Sequence, residues 1–186
     1  MAHPALDLRG PRVLLRPWLP SDLAPFAALN ADPEVMEHLP GPITREESDA
    51  TATRIEAHLA TRGFTFWALE VPGEVAFAGF VGLVVPRFEA HFTPCVEIGW
   101  RLARAHWGKG YALEGAKVAL RAAFGALGQS EVVSLTVPGN ARSRRVMDRL
   151  GMTHTPADDF DHPLVAEGHR LRRHVLYRIT ATPGRR

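Results

Sequence analysis

Ala105-His106-Trp107-Gly108-Lys109-Gly110-Tyr111-Ala112 joins a segment of alternating residues to an alanine-rich segment of helical period. Upstream, Val96, Ile98, Trp100 and Leu102 fall on one face and Cys95, Glu97, Gly99 and Arg101 on the other, the period of a half-buried strand. Downstream, Ala112, Ala116, Ala119, Leu120, Ala123 and Phe124 recur at helical spacing. The two glycines between them let the backbone bend so that several N–H groups point at one spot. The helix that begins there adds the positive end of its dipole, and together these make a cradle for phosphate or pyrophosphate. The loop is not a Walker A loop, because no Gly-Lys-Ser/Thr follows four residues after the first glycine. Nor is it a dinucleotide fingerprint, since Leu113 stands where a further glycine is required.

Working outward, Glu131 to Val137 reads as a strand, Asn140 as the N-cap of a helix to Leu150, and Gly151 as its stop. Ser143, Val146, Met147 and Leu150 share one face of that helix. Toward the N-terminus, Phe64–Val71 and the apolar run Ala76–Val85 flank the turn signal Pro72-Gly73, which predicts an antiparallel hairpin. Gly79 and Gly82 interrupt the second strand and predict a bulge or a close approach of backbone. Thr44-Arg-Glu-Glu47 has the spacing of a capping box for a helix to about Thr61, and Ser21-Asp22 is expected to cap one to about Ala31. Val13 to Arg16 and His174 to Ile179 complete the strands. The order is mixed, with hairpins around one strand–helix–strand unit: an α+β fold, expected as a single domain over residues 1–186.

Composition narrows the classes further. At 186 residues with 46% hydrophobic content, the chain can build a core without staples. A lone Cys95 excludes a disulfide framework, and the nine histidines show no ligand spacing, so no metal is expected. The N-terminal stretch lacks an apolar signal core and no run of about 18 apolar residues exists, so a cytoplasmic protein without a membrane partner is expected. A net charge of +2 argues against nucleic acid, and the arginine clusters at 142–149 and 170–173 read as solvated faces.

Four segments in order, VLLRPW with SDL, VEIGWRL, HWGKGYALEGAKVAL and NARSRRVMDRLGM, together resemble the GNAT superfamily of acyl-CoA-dependent N-acetyltransferases. The resemblance covers nearly the whole chain and is nearest the RimJ/RimL branch. It implies a three-layer α/β/α arrangement whose mostly antiparallel sheet splays beside the glycine loop, with acetyl-CoA as acetyl donor in the opening. By the same resemblance, Trp100, Arg101 and Leu102 match the strand whose backbone pairs with the pantetheine arm. Trp107, Gly108, Lys109, Gly110, Tyr111, Ala112 and Leu113 match the pyrophosphate loop, and Asn140 a cofactor contact. Glu97 matches an acid that accepts the amine proton, and Ser143 the serine near the thiol. Two positions depart from the superfamily pattern: Ala105 replaces the usual Gln or Arg, and Met147 stands where many members carry a proton-donating tyrosine.

The activity so implied is acetyl transfer to a primary amine, on a protein N-terminus or a small molecule, by direct attack in a ternary complex. No activated nucleophile is readable that would form an acetyl-enzyme. The alternative is an inactive CoA-binding sensor or interaction module, motivated by Ala105 and Met147. An amine of pKa about 8 to 10 is mostly protonated at pH 7, so a base is needed; Glu97 serves, unless it merely pairs with Arg101 along the same face. The loop Asp158-Asp-Phe-Asp-His-Pro163 suggests Asp161 and His162 as contacts for a cationic acceptor. A monomer or homodimer is expected.

Overall fold

The computed structural model describes residues 6–181. Residues 1–5, part of the stretch from which no signal segment is expected, lie outside the described residues. The strands are β1 (Leu14–Arg16), β2 (Phe66–Val71), β3 (Val75–Val84), β4 (Glu97–Leu102), β5 (Glu131–Thr136), β6 (Thr153–His154), β7 (Phe160–Asp161) and β8 (Arg173–Thr180). The α-helices are α1 (Leu23–Ala31), α2 (Arg45–Arg62), α3 (Tyr111–Phe124) and α4 (Ala141–Arg149). The sheet runs β1-β2-β3-β4-β5-β8-β6, with β7 also on β8. Every pairing is antiparallel except β4 with β5, the two strands that α3 connects.

The sheet is covered on both faces. On one, Ala116, Ala119 and Met147 of α3 and α4 pack with Val81, Ile98, Leu102 and Val132. On the other, Phe26 of α1 and Ala52 and Ile55 of α2 pack with Trp18, Ala68, Phe77 and Phe80. The alternation of β4 decides this layering, since its Ile98 and Leu102 belong to the first core and its Glu97, Gly99 and Arg101 face away. Strand β4 begins at Glu97 rather than at Cys95. The capping box at Thr44 forms, with Thr44 Oγ1 accepting from Glu47 N–H at 3.2 Å and Glu47 Oε2 accepting from Thr44 N–H at 2.8 Å. The start of α1 differs from the sequence reading. Asp22 does not cap α1; it is buried, and its carboxylate receives Arg16 Nη1 at 2.7 Å and, at the short turn just before the helix, Leu19 N–H at 2.8 Å. Gly82 is required by close approach: a Cβ there would lie 2.1 Å from Thr65 O.

The feature that positions the site is the junction of β4 and β5. The two strands share a single register position, Glu97 opposite Val133, although each is six residues long. Val133 N–H donates to Val96 O at 2.9 Å, and one step further the buried Ser134 hydroxyl donates to Ile98 O at 3.0 Å. Beyond that bridge the strands part. Ala103 N–H donates to Ala78 O at 3.0 Å, so by alternation Trp100 and Leu102 turn their backbone groups away from β3 and into the gap. Replacing Ser134 with alanine leaves Ile98 O without this donor. Chemical denaturation should show a loss of about 1–2 kcal/mol; an unchanged midpoint would mean the bridge does not hold the junction.

Candidate active site

A cavity of about 580 Å³ opens at this parting of the strands. Glu97, Gly99, Trp100, Arg101 and Leu102 of β4 line one side, and Ser134, Leu135 and Thr136 of β5 the other. Trp107, Gly108, Gly110, Ala112 and Leu113 bring the glycine loop and the start of α3 to it, and Asn140 and Ser143 bring the start of α4. Eleven of the residues singled out in the sequence therefore meet at one opening: Glu97, Trp100, Arg101, Leu102, Trp107, Gly108, Gly110, Ala112, Leu113, Asn140 and Ser143.

The loop is shaped by two left-handed residues, Gly108 at φ 73° and Gly110 at φ 85°, a conformation that side chains oppose. The first backbone bond into α3 runs from Glu114 N–H to Gly110 O at 3.0 Å. The N–H groups of Tyr111, Ala112 and Leu113 therefore precede the helix's own ladder and keep their donors for another acceptor. A Cβ at Gly108 would meet nothing within 4 Å, so its backbone conformation and not crowding calls for glycine there. The arrangement fits a phosphate group by donor chemistry and helix dipole together. Trp107 fixes the loop from inside, its indole N–H donating to Leu102 O at 2.8 Å.

Lys109 and Tyr111 do not line the cavity. Both are drawn to Glu74 at the tip of the β2–β3 hairpin, Lys109 Nζ at 2.7 Å and Tyr111 Oη at 2.6 Å. The paired cation and hydroxyl hold the Glu74 carboxyl below its ordinary range. Asn140 acts within its own helix end: its Oδ1 accepts from Ser143 N–H at 3.2 Å and its Nδ2 donates to Thr136 Oγ1 at 2.9 Å.

The Glu97 carboxyl has no hydrogen-bond or ion-pair partner among the described residues, and burial pushes it up to about 7. The pairing with Arg101 considered from the sequence does not form; Arg101 Nη1 instead donates to Asn30 Oδ1 at 2.6 Å. Met147 is buried at the cavity wall, and its thioether carries no proton to give. Cys95 is half-buried and its thiol is pushed up to about 11 by desolvation, the state of an inert thiol.

Asp161 and His162 also lie off the cavity lining. Asp161 is paired with Arg172 and Arg173, both at 3.4 Å. His162 stands 5.1 Å, ring to ring, from His174, which does line the cavity. Sequence reasoning missed His174, and it missed the cationic mouth. Arg142, Arg145 and Arg149, read as a solvated face, are exposed but border the opening because one side of α4 runs along it from end to end. Their spacing of three to four residues along one helix was the available signal.

The chain belongs to the acetyltransferase (GNAT) domain family, which it matches over residues 12–153. It is 30% identical over 130 residues to the uncharacterized protein YkkB of Bacillus subtilis, covering 70% of this chain and 74% of that one. It is 37% identical over 133 residues to the FsC-acetyl coenzyme A-N(2)-transacetylase of Aspergillus fumigatus, covering 68% of this chain but only 56% of the fungal protein. Among solved structures, an acetyltransferase from Agrobacterium tumefaciens superposes with a TM-score of 0.74 at 24% identity, over 97% of this chain and 98% of that one, and shares its fold.

Proposed function

We propose that this acetyltransferase moves an acetyl group from acetyl-CoA to a primary amine, on a protein N-terminus or a small molecule, by direct attack in a ternary complex, as in the RimJ/RimL branch. The observation that carries the reading is the unpartnered Glu97 carboxyl, raised to about 7, in the same opening as the phosphate cradle. The name of the fungal relative, an acetyl coenzyme A-dependent N(2)-transacetylase, supports the donor and the amine.

In this reading the N–H groups at 111–113 hold the pyrophosphate and Arg145 and Arg149 the remaining phosphate, on the ribose. Lys109 and Tyr111 act at a distance, tying the loop to Glu74. The gap-facing backbone of Trp100 and Leu102 orients the pantetheine arm, and an N–H there polarises the thioester carbonyl. Acetyl-CoA supplies an acyl group already activated on sulfur. Glu97 takes the proton from the incoming amine; the C–N bond forms and the C–S bond breaks. A thiol of pKa about 8.5 leaves as thiolate without a strong acid, so Ser143, or water it holds, suffices in place of the absent tyrosine. Asp161 and His162, beside His174, border the acceptor's side.

Thiol release from acetyl-CoA, measured against a panel of amines, tests this. Amine-dependent release is expected, with initial-rate lines that intersect as both substrates vary. Parallel lines would overturn direct attack, and the absence of release with every amine, despite donor binding, would favour a binding module.

A further inference from the structure

Arg101 lines the cavity on the face of β4 that Glu97 shares, four residues further along. Its guanidinium lies over the Phe80 ring at 5.3 Å and donates one hydrogen bond, to Asn30 Oδ1 at 2.6 Å. Asn30 is buried and is itself fixed by Nδ2 donating to Ser48 Oγ at 2.9 Å, so α1 and α2 orient the guanidinium through two uncharged side chains. No carboxylate comes within ion-pair distance of Arg101 among the described residues. The fold treats another part-buried arginine differently. Arg16 receives two acids, Asp22 and Glu70, each at 2.7 Å.

A guanidinium has five N–H donors in a planar fork, and placing it out of water without an anion is costly. Desolvation accordingly pulls the basicity of Arg101 down to about 10. Within the described residues its partners are the Phe80 ring and the neutral Asn30, neither of which is an anion. The charge is held, aimed and left without a counterion inside the opening that takes the acceptor.

We propose that Arg101 is a specificity-determining residue that binds a carboxylate of the acceptor, so that the preferred amine is a carboxylate-bearing one, of the amino-acid class. This rests on the acetyl-transfer reading above. Strand geometry places the two α-carbons about 13 Å apart, and the Phe66 ring lies over Gly99 between them, so a small acceptor would span this ring in the cavity that both side chains line, its amine toward Glu97 and its carboxylate toward Arg101. The planar fork matches a carboxylate in two parallel bonds, which an amide cannot accept as an anion.

The test compares amino acids with their own amides and with the corresponding decarboxylated amines, by thiol release. Wild type should favour the acids by roughly tenfold or more in kcat/KM, and Arg101→Gln should abolish that ratio whatever it does to the common rate. Asn30→Asp gives an independent reading, since it supplies an internal carboxylate to the same guanidinium. It should raise KM for the acids and leave the amides unchanged. Equal use of acids and amides by wild type, or a ratio that survives both substitutions, would overturn the assignment while leaving acetyl transfer intact. No release with any amine would instead overturn the acetyl-transfer reading, and this assignment with it.

Discussion

Replacing Glu97 with glutamine lowers kcat/KM for the amine acceptor by roughly 10²–10⁴-fold, the range that a positioned general base contributes. The expectation comes from environment as well as position. The carboxyl has no partner to hold it charged, and desolvation raises it from 4.5 to about 7. A base poised there is substantially deprotonated at neutral pH and still accepts a proton readily. Wild-type kcat/KM should rise with pH through about 7, and the glutamine variant should lack that limb. Stability should move the other way. Because the folded-state value is raised, Glu97 favours folding below the unfolded value of 4.5, and that advantage is lost as pH rises through about 7. At pH 8 the variant should be the more stable protein by about 2–3 kcal/mol, and near pH 4 the two should converge. Full turnover in the variant with an unchanged pH profile would remove Glu97 from proton transfer.

The same residue marks the boundary of what the sequence discloses. The alternation that put Glu97 on one face of its strand is local, as are the glycine loop before α3 and the capping box at Thr44, and all three were legible. Legibility ends where a side chain chooses among distant partners. Arg101 could reach Glu97 on its own strand, yet it binds Asn30, 71 residues away. Lys109 and Tyr111 belong to the loop by sequence but turn to Glu74, 35 and 37 residues away, so that neither lines the cavity. Arg142, Arg145 and Arg149 of α4 are exposed, as their pattern implies, but nothing local says that their helix runs beside a gap in the sheet. That gap depends on β5 leaving β4 after one register position, a property of the pair and of neither strand alone.

Saturating acetyl-CoA or CoA at about 100 Kd should add roughly 2.7 kcal/mol of stability, because the ligand engages a cradle that exists only in the folded chain. For a chain of this size that corresponds to a rise in Tm of about 5–11 °C. ATP and NADH carry phosphates but no pantetheine arm, so they meet the loop at 108–113 without the gap-facing backbone of β4 and should shift Tm less. Arg145 and Arg149 separate the two kinds of phosphate contact. They are exposed at the mouth of the cavity, whereas the N–H groups of α3 are fixed in place by the helix. Replacing both arginines with alanine should weaken binding by about tenfold, which at the same ligand concentration roughly halves the stabilisation. Salt then distinguishes charge from geometry. At 1 M the screening length falls to about 3 Å, so the wild-type shift should shrink toward that of the double variant while the variant's own shift changes little. A shift with neither acetyl-CoA nor CoA would mean that the glycine loop is an ordinary turn. A shift untouched by the arginine pair would assign the phosphates to the helix N-terminus alone.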